Sequence, residues 1–291
     1  MATGKESTQT LGEKKRIRKG NGLIPKKRLG QHFLRDTGVV HKIISKARLE
    51  SSDHVLEIGP GLGALTIPLA PLVHHIVAVE KDPRLAEMLE KRLAHQGISN
   101  VRLINDDILR LELEGIQGVL GKKLKVIGNL PYNISTPFLE RLVVNRNLVS
   151  RAVLMFQLEL ARRLTADPGN KEFGAMTVLL QYHAHISLLL QVSKASFYPR
   201  PKVDSMVLEL DFERPHPRRV EDEAKFKAVV RGAFAHRRKT LLNSLKRTLS
   251  SRTSEEILAA LRKCGIDPEK RAETLHIDQF LCLTRALPAL S

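Results

Sequence analysis

Asn129-Leu130-Pro131-Tyr132 closes the apolar run Leu124–Ile127, within the segment I-G-N-L-P-Y. An amide oxygen on Asn129 and the backbone carbonyl of Leu130 are two acceptors one residue apart. Pro131 removes a backbone donor and stiffens the turn. Tyr132 adds a flat face on which a base could stack. One chemistry needs such a set: alkylation of the exocyclic amine of adenine. That nitrogen is a poor nucleophile because its lone pair is delocalised into the ring. Accepting both amine hydrogens pulls the nitrogen toward a localised lone pair. The competing reading is an ordinary turn, since Asn and Pro both favour turns.

A second group lies upstream. Val55-Leu56-Glu57-Ile58-Gly59-Pro60-Gly61-Leu62-Gly63 runs from a strand pattern into a helix pattern. Glycines let backbone pass close to a ligand and turn sharply. The spacing is G-x-G-x-G and not the G-x-G-x-x-G of dinucleotide folds. Glu80 ends the next strand pattern, where a ribose diol would sit. Asp107 ends the third, where an adenine amine would sit. This order suggests a nucleoside cofactor without a pyrophosphate, which S-adenosylmethionine fits. NAD is the competitor. Singly, Glu80 reads as a strand-end charge and Asp107 as a helix cap.

These residues need a scaffold that brings strand ends together. Strand patterns fall at His54–Ile58, Ile76–Glu80, Val101–Ile104, Leu124–Ile127 and Ala152–Phe156. Helical spacing covers Thr37–Ala47, capped by Asp36 or Thr37, and Leu85–Leu93 after Asp82-Pro83. This alternation predicts an α/β fold with a doubly wound, mostly parallel sheet. Runs at His185–Val192 and Ser205–Phe212 predict a closing antiparallel hairpin. Pro215 and Pro217 mark a boundary. Beyond it the sequence predicts helices over Glu223–Leu249, Ser254–Cys264 and Ile277–Leu287. The chain divides into a flexible basic arm (1–28), a catalytic domain (29–214) and a small helical domain (215–291).

The 291 residues are 42% hydrophobic, enough for a sizeable core. The 48 Lys and Arg against 31 Asp and Glu leave a net charge of +17, which points to a polyanionic partner such as nucleic acid. Residues 1–28 hold nine basic and two acidic side chains, suited to phosphate contact or to a solvating tail. Cys264 and Cys282 lack metal-ligand spacing, and read as packed thiols in a reducing cytoplasm. No run has the length of a membrane span. No metal site is expected.

With these motifs in place, the chain resembles the ribosomal RNA adenine dimethyltransferase family, in particular its bacterial small-subunit branch. The resemblance implies a Rossmann-like methyltransferase fold with a seven-stranded sheet and a helical C-terminal rRNA-binding domain. In Arg28-Leu29-Gly30-Gln31-His32-Phe33-Leu34 it implies that Gln31, His32 and Leu34 contact the methionine end of the cofactor. His32 stands where many members have Asn. It likewise implies cofactor contacts for Gly59, Gly61, Glu80, Asp107 and Asn129. Asn129-Leu130-Pro131-Tyr132 becomes the target-base motif. Phe197, in Phe197-Tyr198-Pro199-Arg200-Pro201-Lys202-Val203-Asp204-Ser205, would close on the other face of the adenine. Arg200 and Lys202, with Arg237, Arg238 and Lys239 of the helical domain, would meet RNA. The implied substrate is two adjacent adenosines in a hairpin loop near the 3′ end of 16S rRNA, in an immature small subunit, with the enzyme a monomer. The alternatives are a large-subunit rRNA methyltransferase of the macrolide-resistance type and a non-catalytic RNA-binding assembly factor.

Overall fold

The computed structural model of the chain describes residues 25–26, 29–250 and 252–289. The basic arm therefore lies outside the described residues, except for Pro25 and Lys26. In chain order the elements of the sheet-bearing region are β1 (Phe33–Leu34), α1 (Thr37–Lys46), β2 (His54–Ile58), α2 (Thr66–Leu69), β3 (His75–Val79), α3 (Pro83–His95), β4 (Val101–Ile104), α4 (Leu113–Leu120), β5 (Leu124–Asn129), α5 (Ser135–Val144), β6 (Val149–Gln157), α6 (Leu158–Leu164), α7 (Ala175–His183), β7 (His185–Val192), β8 (Phe197–Tyr198) and β9 (Ser205–Asp211). The helical region follows as α8 (Glu223–Phe234), α9 (Leu241–Thr248), α10 (Ser254–Lys263) and α11 (Ile277–Ala286).

Seven strands form one sheet in the order β4-β3-β2-β5-β6-β9-β7. The first five are parallel neighbours; β9 runs antiparallel to both β6 and β7. The strand order reverses beside β2, and open α/β sheets bind ligands at such a switch point, beyond the carboxyl ends of the strands. Here those ends are Ile58-Gly59 on β2 and Gly128-Asn129 on β5, with Ile58 in register with Gly128. Gly128 is required by this closeness, since a Cβ there would lie 2.8 Å from the Ile58 carbonyl oxygen.

Apolar layers cover both faces of the sheet. One includes Phe138, Leu139 and Leu142 of α5; the other includes Val40 and Ile43 of α1. A third core fills the helical region and reaches across the boundary, where Tyr182 of α7 packs on Phe226 of α8 with ring centroids 4.4 Å apart. Among the described residues, no helix is long and apolar enough to cross a membrane.

The helix ends follow their caps. Asp36 accepts from the Val39 amide at the start of α1. Thr253 and Glu256 make a reciprocal capping box on α10. Two expectations are corrected. The helix expected over Glu223–Leu249 is two helices, broken at residues 235–240. Thr240 caps α9 by accepting from Asn243, and α9 folds back on α8 so closely that the Ser244 hydroxyl donates to the Gly232 carbonyl at 2.8 Å. Nor are Cys264 and Cys282 separate packed thiols. They form a disulfide with Cα atoms 5.8 Å apart, because Cys264 caps the end of α10 where α11 packs against it. Their separation of 18 residues hides this contact in the sequence.

Candidate active site

A cavity of about 580 Å³ opens at the switch point, between the β2–α2 turn, the β3 end, Asp107, the Asn129–Ile134 turn and the β1 segment. Gly59 and Gly61 have φ of 64° and 57°, the left-handed region that favours glycine. A Cβ on Gly61 would press to 3.3 Å from the Phe33 ring. Gly61 thus allows Phe33 of β1 to lie across the turn.

Glu80 lies just beyond β3 and is buried. Its carboxylate accepts from the Gly61 amide at 3.0 Å and the Asp82 amide at 2.8 Å. Burial pushes its pKa up, with the two amides opposing. Each oxygen keeps lone-pair capacity toward the cavity. Asp107 accepts from Lys81 Nζ at 2.6 Å and from the Leu109 amide at 3.1 Å. Burial raises this carboxyl, but Lys81 and the amide outweigh it, and the net shift is downward. Glu57, also on the lining, is 1% exposed, and desolvation lifts it to about 8. Its Oε2 has no hydrogen-bond partner among the described residues.

The Asn129–Ile134 turn is pinned from two directions. Asn129 Nδ2 donates to the His32 carbonyl at 2.9 Å, which leaves Oδ1 as an acceptor on the open side. The Tyr132 and Ser205 hydroxyls are 3.1 Å apart, fixing the phenol from β9. Burial raises the Tyr132 pKa, so it stays a neutral phenol. Leu130 is buried, and its side chain anchors the turn in the core. Pro131 lies against Gly59. The His32 ring lies beside that of Tyr132, centroids 5.4 Å apart and tilted by 30°, and its Nδ1 lies 2.7 Å from the Pro199 carbonyl oxygen.

The structure thus gathers Gln31, His32, Leu34, Gly59, Gly61, Glu80, Asp107, Asn129, Leu130, Pro131 and Tyr132 around one cavity. Within this group, Gln31 is spoken for at both ends of its amide. It accepts from the Lys26 amide at 2.7 Å and donates to Asp82 at 3.2 Å. Asp82 is fully buried, and Arg84, Lys26 and Gln31 hold its carboxyl well below the usual range. Gln31 therefore latches the β1 segment to α3. The Leu34 side chain is buried in the core beneath β1.

Phe197 is corrected. It is 5% exposed and packs with Leu34, Val40 and Ile43 in the core on the α1 face, so it does not face Tyr132 across the cavity. Its neighbour Tyr198 lines the cavity instead. Register is the physical reason: β8 pairs with β1, Phe197 opposite Leu34 and Tyr198 opposite Phe33, and successive strand residues face opposite sides. Arg200 and Lys202 are exposed on the same loop. Arg237, Arg238 and Lys239 are exposed in the break between α8 and α9, where Arg237 also donates to the Lys171 carbonyl.

Several participants escaped sequence reasoning. Ser205, Lys81 and the Asp82 latch act on residues far away in sequence, and no local pattern marks them. Glu57 stood in the glycine motif; a carboxyl inside an otherwise apolar strand was the available signal.

The profile of the family described as Ribosomal RNA adenine dimethylase matches residues 24–287. The chain is similar to a protein of Desulforapulum autotrophicum called Ribosomal RNA small subunit methyltransferase A, 45% identical over 91% of this chain and 93% of that one. A protein of the same name from Moorella thermoacetica is 42% identical over 97% of this chain and 99% of its own. Among solved structures, a dimethyladenosine transferase from Plasmodium falciparum superposes with a TM-score of 0.72 at 29% identity, covering 86% of this chain and 95% of that one. The 23S rRNA methyltransferase ErmE superposes with a TM-score of 0.69 at 27% identity, covering 88% of this chain and 99% of that one. With a match that spans both the cavity and the helical region, the chain belongs to the ribosomal RNA adenine dimethylase family.

Proposed function

We propose that the chain dimethylates the 6-amino groups of two adjacent adenosines, in a hairpin loop near the 3′ end of 16S rRNA in the small ribosomal subunit. The Asn129 amide carries this reading. With its nitrogen held by the His32 carbonyl, its oxygen is left to accept from an incoming amine beside the glycine turn. The likeness over nearly the whole chain to proteins named for the small subunit supports 16S rRNA over the 23S alternative, whose representative is 27% identical.

S-adenosylmethionine fits the residues present. A Cβ on Gly61 would crowd the Phe33 ring, and the buried Glu80 carboxylate, which lines the cavity, keeps acceptor capacity. Glu80 would hold the ribose hydroxyls and Asp107 the adenine amine. Gly59, Gly61 and the β1 segment around His32 and Leu34 would hold the methionine end. When bound, this cofactor supplies a methyl group on a sulfonium.

The work of the protein is orientation and electrostatics. The target adenine leaves its stack and lies on Tyr132. Asn129 Oδ1 and the Leu130 carbonyl accept its two amine hydrogens, so the nitrogen lone pair turns toward the methyl donor. Once methylated, the nitrogen is cationic and sheds its proton to water; no side chain is assigned as a base. The exposed Arg200, Lys202, Arg237, Arg238 and Lys239 meet phosphates. The working form is a monomer in the cytoplasm acting on a partly assembled subunit.

The test is incubation with labelled S-adenosylmethionine and under-methylated small subunits, followed by mass spectrometry of the nucleosides. Dimethyladenosine in 16S rRNA is the expected product. Label confined to 23S rRNA would favour the large-subunit reading.

A further inference from the structure

Tyr198 stands apart from the other aromatics. The chain has nine Phe, three Tyr and no Trp, and of these twelve rings only Tyr198 is exposed, at 46%. It sits at the rim of the cavity. The Arg35 guanidinium lies 4.0 Å from its ring centroid. Arg35 makes no salt bridge among the described residues, so its charge is unspent. The Tyr198 hydroxyl makes no hydrogen bond among the described residues either.

The ring is also held in place. Its strand pairs with β1, Tyr198 opposite Phe33, and Phe33 rests on the Gly61 turn. The Arg35 amide donates to the Ser196 carbonyl at 2.9 Å, and His32 Nδ1 meets the Pro199 carbonyl at 2.7 Å. The plate is thus built into the same ribbon that holds Asn129 and flanks Tyr132. Arg200 and Lys202, on the loop that follows Tyr198, are exposed. A fixed, solvent-facing ring with a guanidinium on one face and cations alongside matches the way proteins take unstacked single-stranded bases: stacking on the ring, phosphate to the cations.

We propose that Tyr198 is the stacking plate for the nucleotide next to the adenosine being methylated, with Arg35 and Arg200 taking its phosphates. This rests on the functional reading above and extends it from the reacting base to its neighbour. Tyr132 serves the base inside the cavity. Tyr198 serves the base that stays at the mouth and keeps the loop open. The ring face does the binding and the hydroxyl does not.

The experiment is steady-state methylation of under-methylated small subunits by the full chain, with Tyr198→Ala, Tyr198→Phe and Arg35→Ala, alongside calorimetry with S-adenosylmethionine. Loss of one base stack raises the KM for subunits about tenfold or more in Tyr198→Ala. Because the plate acts equally before and during the reaction, kcat changes little. Tyr198→Phe restores KM, Arg35→Ala raises it and makes it less dependent on salt, and cofactor affinity stays as in wild type throughout. An unchanged KM in Tyr198→Ala overturns the proposal. Failure of Tyr198→Phe to restore KM also overturns it, since the hydroxyl would then be the active part. A matching loss of cofactor affinity overturns it too, by placing Tyr198 against the cofactor. If wild type itself leaves small subunits unmodified, the functional reading falls first and the plate with it.

Discussion

The Asn129 side-chain nitrogen donates to the His32 carbonyl across 97 residues of chain. This contact decides which end of the amide faces the cavity. Asn129→Ala should lower kcat by about a hundredfold to a thousandfold, as removal of a preorganised polar group at a reacting centre does. Asn129→Asp should be as poor, because a carboxylate cannot donate to His32 and is repelled by its carbonyl. Cofactor affinity should fall far less than kcat in both. Single-turnover rates with calorimetry check this; a variant with wild-type turnover contradicts the role.

Tyr132 and Ser205 offer a double-mutant cycle. Ser205 is fully buried, and its hydroxyl lies 3.1 Å from that of Tyr132. Ser205→Ala leaves the phenol without its partner and should cost about 1–3 kcal/mol. Tyr132→Phe in the same background should recover most of it, since removing both partners leaves nothing unsatisfied. Denaturant unfolding measures the coupling. Two additive losses would mean that the hydroxyls do not interact.

What the sequence could and could not reveal follows from distance along the chain. The parallel strands were legible because each is a short apolar run bounded by turn residues, and the glycine turn, Glu80 and Asp107 each follow one. Their convergence came from the alternation of strands and helices. The β1–β8 ribbon was not legible. Its strands are two residues each, and their pairing joins residues more than 160 apart. That pairing alone determines that Phe197 turns inward and Tyr198 outward. The disulfide and the Asp82 latch were hidden for the same reason. The break between α8 and α9 is different: Phe234 to Leu245 carries helix-compatible residues, and the tertiary contact between Ser244 and Gly232 overrides them.

Glu57 makes stability depend on pH. It is held near 8 by burial, against an ordinary value of 4.5. Between these values the unfolded chain carries a carboxylate while the folded chain keeps the proton. The folded state therefore binds more protons, and stability falls as pH rises from about 4.5 to about 8, with an upper slope of about 1.4 kcal/mol per unit. Glu57→Gln removes the titrating group and should flatten that part of the profile, leaving the variant relatively more stable at pH 8 than at pH 5. Thermal unfolding at several pH values tests it. A slope unchanged by the substitution assigns the pH dependence elsewhere.

Arg237, Arg238 and Lys239 lie exposed in the break between α8 and α9, distant in sequence from the Asn129–Ile134 turn. If they meet phosphate, each contact releases counterions, and the logarithm of the binding constant falls linearly with the logarithm of salt concentration. Replacing all three with Ala should weaken subunit binding and reduce the magnitude of that slope by about 2–3. Cofactor affinity should not change, because none of the three borders the cavity. Filter binding across a salt series gives the slope directly. A parallel line, weaker but equally steep, would mean that these cations shape the helical region without touching RNA.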